Sequence, residues 1–153
     1  MSAPGAEPRR PSTAPGDVAS EWQRRPFFEA FGVEIEAIED GYARIGVPRS
    51  AVPLRGVRDS LNGGVVASLA DAAMQLCVTS VLEPGEGVGE TRELSVSYLS
   101  SARGERTIAE ARLLRRGRRL AVGDVEVRDA SDGPINAKAR VSCEILPPPA
   151  PDS

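Results

Sequence analysis

Apolar and polar residues alternate with a period of two over much of the chain, and this alternation predicts β-strands. Residues 33–37 and 43–47 alternate on either side of the turn dipeptide Asp40-Gly41, which predicts a hairpin. Four further alternating segments follow residue 90, at residues 94–98, 109–113, 121–127 and 135–145. The last of these has one wholly apolar face and one polar face, as expected of a strand in an antiparallel sheet with one solvated side.

The longest apolar segment, residues 65–82, is too long for a single strand. It is rich in alanine and leucine, which favour a helix. Ser60 and Asn62 are candidate N-caps, and Pro84-Gly85 is expected to end the helix. Because apolar residues lie all round it, the pattern predicts a buried central helix.

Residues 21–31 predict a short aromatic-rich helix, although Pro26 disfavours helix at its middle. Pro53 and Gly56 indicate a loop over residues 50–61. The resulting order is a short helix, two strands, a long helix and four strands. This order predicts an α+β fold in which an antiparallel sheet wraps around one long central helix.

Proline placement indicates the limits of the folded unit. The chain has 153 residues and 13 prolines, of which eight lie in the first 20 and last seven residues. These ends carry too few large apolar groups to offset the entropy of ordering. We therefore expect one domain at residues 22–146, with disordered tails at residues 1–21 and 147–153.

The net charge, the lack of long apolar runs and the cysteines limit which functional classes and compartments fit the chain. The net charge of −3 argues against a protein that binds nucleic acid by neutralising phosphates. No apolar run reaches the roughly 18 residues needed to span a membrane, and residues 1–20 lack the apolar core of a secretory signal. Cys77 and Cys143 lie in apolar segments, which is typical of buried free thiols in a reducing compartment. We expect a soluble, cytoplasmic protein.

The absence of histidine excludes several kinds of chemistry. Ser-His-Asp and Cys-His catalysis, an imidazole zinc site and a hydratase built on a His–carboxylate pair all require that side chain. The carboxylates are scattered, so no metal site is predicted. Acid–base chemistry near neutral pH must then be carried out by a carboxylate, tyrosine, cysteine, lysine or bound water.

Two features of the long helix are candidates for a site. Asp71 is the only charged residue between residues 60 and 82, and such a group is costly to bury unless it is paired or functional. Asn62-Gly63-Gly64 is either an ordinary glycine-rich cap or a set of open N–H groups for a developing oxyanion. Asp71 lies roughly 13 Å beyond Asn62 at 1.5 Å per residue, so Asp71 does not easily serve Gly63 of its own chain, whereas a symmetric dimer would bring Asp71 of one chain to Gly63 of the other.

Three segments resemble a known family. Residues 61–73 (LNGGVVASLADAA), 91–99 (TRELSVSYL) and 116–122 (RGRRLAV) are similar to motifs of the hot-dog fold acyl-CoA thioesterases. The first is most similar to the phenylacetic-acid-degradation (PaaI-like) branch, where His-Gly-Gly precedes an apolar run and an aspartate nine residues after the histidine. In element order the resemblance covers about residues 27–146.

The resemblance implies a role for each matching residue. Gly63 would polarise the thioester carbonyl through its N–H, Asp71 of the partner chain would act as general base or nucleophile, and Thr91 would help to place the attacking water. Arginines of one hairpin would contact CoA phosphates, the alternative being a solvated turn; these are Arg116, Arg118 and Arg119. The expected substrate is an acyl-CoA, with CoA as part of the substrate and no separate cofactor, and the expected assembly is a homodimer or homotetramer.

Asn62 departs from the family pattern because it stands where histidine is usual. If the imidazole only orients the loop or polarises the carbonyl, an asparagine amide donates a similar hydrogen bond. If the imidazole transfers protons, the chain is instead a weakened enzyme or a non-catalytic protein that binds acyl-CoA or a related ligand. The sequence leaves these alternatives open.

Overall fold

The computed structural model describes residues 15–51, 59–130 and 132–151. Its helices are α1 (Pro15–Gln23), α2 (Pro26–Phe31) and α3 (Gly63–Thr79), with a short 3-10 turn at Arg49–Ala51. Its strands are β1 (Glu34–Glu39), β2 (Tyr42–Pro48), β3 (Gly87–Tyr98), β4 (Arg106–Arg116), β5 (Leu120–Asp129) and β6 (Ile135–Leu146).

All six strands form one antiparallel sheet in the order β1-β2-β4-β5-β6-β3. Helix α3 packs across this sheet and contacts every strand. The predicted α+β architecture, an antiparallel sheet around one long helix, is therefore confirmed. β1 and β3 are the two edge strands, and the position of β3 matters for the candidate site.

The helix approaches the sheet closely at one glycine. A Cβ atom added to Gly123 would lie 2.3 Å from the Cε of Met74 and 2.5 Å from the carbonyl oxygen of Arg112. Met74 is fully buried there, between α3 and β5. A side chain at position 123 would therefore push the central helix away from the sheet.

Helix α3 differs from its predicted form in two respects. It ends at Thr79 rather than at Pro84-Gly85, because the hydroxyl of Ser80 donates to the carbonyl of Cys77 and accepts the N–H of Gly41 at 2.9 Å. It is also not apolar all round, since one stripe of the helix is polar or open to solvent. That stripe consists of Gly64, Ser68, Asp71 and Gln75.

The predicted single helix at residues 21–31 is wrong, because two helices occupy this region. Pro26 begins α2 at its first turn, where the missing N–H costs nothing, rather than interrupting one longer helix. Helix α1 begins at Pro15, inside the segment expected to be a tail. Trp22, only 4% exposed, buries its ring against α2 and the core, which supplies the packing that orders α1.

The predicted loop over residues 50–61 lies mostly outside the described residues, and Pro53 and Gly56 are among those not described. Of the described helices, none is long and apolar enough to cross a membrane. Cys77 and Cys143 are buried free thiols, as predicted. Burial raises the pKa of Cys77 to about 12 and that of Cys143 to about 11.

Candidate active site

Three polar side chains form a closed hydrogen-bonded ring between α3 and β3. The hydroxyl of Thr91 donates to Oδ1 of Asp71. Nε2 of Gln75 donates to Oδ2 of Asp71 at 3.3 Å and to the hydroxyl oxygen of Thr91 at 3.1 Å. Both oxygens of the Asp71 carboxylate thus have a donor, and its orientation is fixed from two elements.

Local structure places each member of the ring. Asp71 and Gln75 are four residues apart on α3 and so lie on one face of the helix. Thr91 lies opposite Cys143 on β6, and the pairing of β3 with β6 is irregular on both sides of Thr91. Such irregularities redirect side chains out of the regular pleat. Thr91 is turned towards the helix, with its hydroxyl 3.9 Å from the Sγ of Cys143.

A second polar group lies at the start of α3. Oδ1 of Asn62 accepts the N–H of Gly64 at 2.8 Å, so Asn62 is the N-cap of the helix. The hydroxyl of Tyr98 donates to the carbonyl oxygen of Gly63 at 2.6 Å and holds the first turn against β3. Among the described residues, no atom accepts the N–H of Gly63 or the side-chain amide of Asn62. Both donors lie at the positive end of the helix dipole, where they favour an oxyanion.

These two groups are separated within one chain. Gly63 and Asp71 are eight residues apart on a continuous helix, so their backbones are offset by roughly 12 Å along its axis. A carbonyl group bound by the Gly63 N–H is too far from the Asp71 carboxylate of the same chain for attack, which needs reacting atoms about 3–3.5 Å apart. Gly63 and Asp71 of one chain therefore cannot act on the same carbonyl group.

A cavity lies beside each of these two polar groups. A cavity of about 500 Å³ lies at the helix start, between α3 and the end of β3. It is lined by polar and apolar residues together: Ser60, Asn62, Gly63, Tyr98, Ser100, Ser101 and Asn136, with Leu61, Val66, Leu99 and Ala102. A cavity of about 250 Å³ lies beside Asp71, between α3 and the two N-terminal helices. Its walls are Trp22, Arg25, Phe27, Phe28, Ser68, Asp71, Ala72 and Gln75.

The arginines singled out from the sequence lie at the opposite end of α3 from Gly63. Arg116 is engaged within the chain: its guanidinium pairs with Glu86 and also donates to the carbonyl oxygens of Val81 and Gly117. Arg118 and Arg119 are exposed in the turn between β4 and β5. The structure therefore leaves these two guanidinium groups open to an anionic ligand.

The structure brings together Asp71 and Thr91 of one chain and places Asn62 and Gly63 together at the helix start. Sequence reasoning missed Gln75, although its position one turn after Asp71 is a signal that could have found it. It also missed the aromatic cavity, because nothing local in the sequence indicates that α1 and α2 fold back beside Asp71.

The sequence and the fold are similar to those of known proteins. Residues 59–135 match the family described as the thioesterase superfamily. The medium/long-chain acyl-CoA thioesterase YigI of Escherichia coli is 36% identical over 117 residues, which span 68% of this chain and 76% of that protein. Among solved structures, the protein PA5202 of Pseudomonas aeruginosa is 27% identical with a TM-score of 0.74, over 84% of this chain and 99% of that one. The thioesterase HI1161 of Haemophilus influenzae, at 18% identity, shares the fold with a TM-score of 0.78, over 92% of this chain and 95% of that one.

Proposed function

The chain belongs to the thioesterase superfamily and is a thioester hydrolase, and we propose that it converts an acyl-CoA to a carboxylic acid and free CoA at a site shared by two copies. The observation that carries the proposal is the Asp71–Gln75–Thr91 ring, an oriented carboxylate on the open stripe of the helix. The similarity to the acyl-CoA thioesterase YigI supports CoA as the leaving group.

We derive the reaction from these groups. The Gly63 N–H, aided by the Asn62 amide, stabilises the negative charge that develops on the thioester oxygen. Asp71 takes a proton from a water molecule as that water attacks the carbonyl carbon, and Thr91 and Gln75 keep the carboxylate in place. When the tetrahedral intermediate collapses, the carbon–sulfur bond breaks and the proton passes to the CoA thiolate. Direct attack by Asp71, through an anhydride, is the alternative that the same geometry allows.

Isotope labelling tests for an anhydride that water opens at the Asp71 carbon. A single turnover in ¹⁸O-water by excess enzyme places the label in the released acid when water attacks directly. Label recovered in the Asp71 carboxylate by peptide mass spectrometry indicates the anhydride route instead.

The surface around the ring supports a dimer. β3 is an edge strand, and Leu94 and Tyr98 on it are 39% and 56% exposed. They flank the open stripe of α3, so apolar side chains, unpaired strand edge and catalytic groups form one continuous surface. A second copy related by a two-fold axis would cover this surface and bring Asp71 of each chain to Gly63 of the other.

Subunit complementation tests the shared site. An Asp71→Asn chain and a Gly63→Val chain are each expected to be inactive alone, whereas their heterodimer retains one intact pair. Random mixing should therefore restore about a quarter of the sites when the dimer is symmetric. Mixed samples that stay as inactive as the single variants would show that each site lies within one chain.

We propose that Asn62 substitutes for the histidine usual in the family. Its Oδ1 is used as the helix cap and the residue lines the cavity at Gly63, and its amide N–H₂ can donate a hydrogen bond but cannot transfer a proton. Comparison with Asn62→His tests this role. Faster thioester hydrolysis by the histidine variant would show that Asn62 leaves the site weakened. Binding of acyl-CoA in calorimetry, with no turnover by either protein, would favour a binding function.

Two finer assignments belong to the same proposal. Arg118 and Arg119, which are exposed, are the arginines we assign to the CoA phosphates, while Arg116 holds the hairpin to Glu86. The PaaI-like branch rests on the spacing of Asn62 and Asp71. A free-thiol release assay that compares phenylacetyl-CoA with straight-chain acyl-CoAs tests that placement. The proposed reaction steps use only water and groups of the chain.

A further inference from the structure

The two cavities beside α3 differ in their walls, and the aromatic walls of the one at Asp71 point to the acyl group. The cavity at Gly63 is lined by a mixture of polar and aliphatic residues. The cavity at Asp71 is walled by Trp22, Phe27 and Phe28. We propose, building on the proposed acyl-CoA hydrolysis, that this aromatic cavity receives the acyl group, and that Phe27 and Ala72 set the length of chain it accepts.

The aromatic walls are preformed. Trp22 and Phe28 are 4% and 1% exposed, and their ring centroids lie 5.8 Å apart. Phe27 contacts Phe28 edge-on at 6.1 Å. Because packing fixes these rings, an acyl chain enters a shaped apolar space and little is lost in ordering the protein.

The cavity adjoins the reacting carboxylate directly. Asp71 and Ala72 are consecutive on α3, and both contribute to its wall. An acyl chain lying along Ala72 towards Phe27 would therefore keep its carbonyl carbon beside Asp71. The hydroxyl and amide groups in the cavity at Gly63, from Tyr98, Ser100 and Asn136, suit the amides of a pantetheine arm.

The size of the cavity limits the acyl group. Its volume of about 250 Å³ accommodates about eight groups the size of a water molecule, at ~30 Å³ each. A chain of about eight carbons or a phenylacetyl group fills this space, whereas a sixteen-carbon chain exceeds it. At its rim, the guanidinium of Arg25 lies 3.5 Å from the centroid of the Trp22 ring, so a longer chain would have to pass a charged group into solvent.

Chain-length profiles test the assignment. Values of kcat/KM are measured for butanoyl-, octanoyl-, dodecanoyl- and hexadecanoyl-CoA with the full chain and three variants. Ala72→Leu fills the cavity and should lower the octanoyl-to-butanoyl ratio about tenfold. Phe27→Ala enlarges the cavity and should raise the dodecanoyl-to-octanoyl ratio by a similar factor. Phe31→Ala is the matched control, because the Phe31 ring contacts Phe27 in a tilted arrangement at 5.0 Å but does not line the cavity.

The outcomes separate this inference from the proposed function. The assignment of the cavity is overturned if Ala72→Leu and Phe27→Ala both hydrolyse acyl-CoAs with the chain-length ratios of the unaltered protein. It is also overturned if Phe31→Ala shifts these ratios as much as the other two variants do. Absence of hydrolysis of every thioester by the unaltered chain contradicts the proposed function instead. The cavity is then tested by calorimetry, in which octanoyl-CoA should bind at least tenfold more tightly than CoA. Ala72→Leu should remove that difference. Equal affinities of the unaltered chain for octanoyl-CoA and CoA overturn the assignment. If Phe27→Ala does not fold, Ala72→Leu decides the result on its own.

Discussion

The hydroxyl of Thr91 donates a hydrogen bond to Oδ1 of Asp71 and so links the edge strand β3 to the central helix. Gln75 closes the ring by donating to both residues. The only charged residue of α3 is thus held by neutral donors from two elements rather than by an opposite charge. Neutral donors orient the carboxylate without a counter-ion that would compete for the same oxygens, as suits a group that must act on water.

Removal of the Thr91 hydroxyl should therefore slow turnover more than it weakens binding. Hydrogen bonds to charged groups contribute about 1.5–3 kcal/mol, so Thr91→Val is expected to lower kcat about 10- to 100-fold. KM for an acyl-CoA should change only a few-fold, as measured by continuous free-thiol release. Thr91→Ser keeps the hydroxyl and is the matched control; a serine variant as slow as the valine variant would argue against this role.

The strands and the central helix could be predicted from the sequence because their signals are local. Alternation along residues 135–145 and the apolar run after Asn62 correspond to β6 and α3 in the structure. The helix end was misplaced because the cap formed by Ser80 depends on Gly41, which is 39 residues away in the sequence. No local pattern could indicate that contact.

The candidate site was predictable only in part. Asp71 is conspicuous as a lone charge in an apolar segment, and Thr91 followed from the resemblance to a known family. The aromatic cavity depends on α1 and α2 lying beside α3, and that packing follows from burial of Trp22 and Phe28 rather than from any motif. Long-range packing of this kind is what a single sequence shows least well.

The N-cap formed by Asn62 gives a prediction about stability. Asn62→Ala leaves the Gly64 N–H without its acceptor and should lower the free energy of unfolding by about 1 kcal/mol. Urea denaturation followed by circular dichroism measures this change. Asn62→Asp keeps an acceptor oxygen at the cap and should be close to the original stability, and equal losses in the two variants would contradict the capping role.

The buried thiols make stability depend on alkaline pH. Burial raises the pKa of Cys77 to about 12, whereas a thiol in the unfolded chain titrates near 8.5. Below about pH 8.5 both states keep the proton and Cys77 has no effect on the pH dependence. Above it the unfolded chain releases a proton that the folded chain retains, so the free energy of unfolding should fall by up to ~1.4 kcal/mol per pH unit for this thiol.

Urea denaturation between about pH 8 and pH 10 tests this slope. The Cys77→Ala variant lacks the titrating group and should show a shallower decline. Folded protein should also resist iodoacetamide at pH 8, since both cysteines are buried and protonated, and unfolded protein should react at both. Equal slopes in the two proteins would contradict the assignment of the effect to Cys77.

The exposed surface of β3 gives a prediction about assembly and activity together. Leu94 is 39% exposed on the edge strand, two pairing positions from the residue that contacts Asp71. Leu94→Arg places a charge where we expect the second copy to pack and should convert the dimer to a monomer in sedimentation analysis. Because Gly63 and Asp71 cannot meet within one chain, hydrolysis should be lost with the dimer while circular dichroism shows an intact fold.

Leu114→Arg is the matched control, since Leu114 is 56% exposed on β4, away from this edge, and the substitution should alter neither assembly nor activity. A monomeric Leu94→Arg protein that still hydrolyses acyl-CoA at the original rate would place the complete site in one chain.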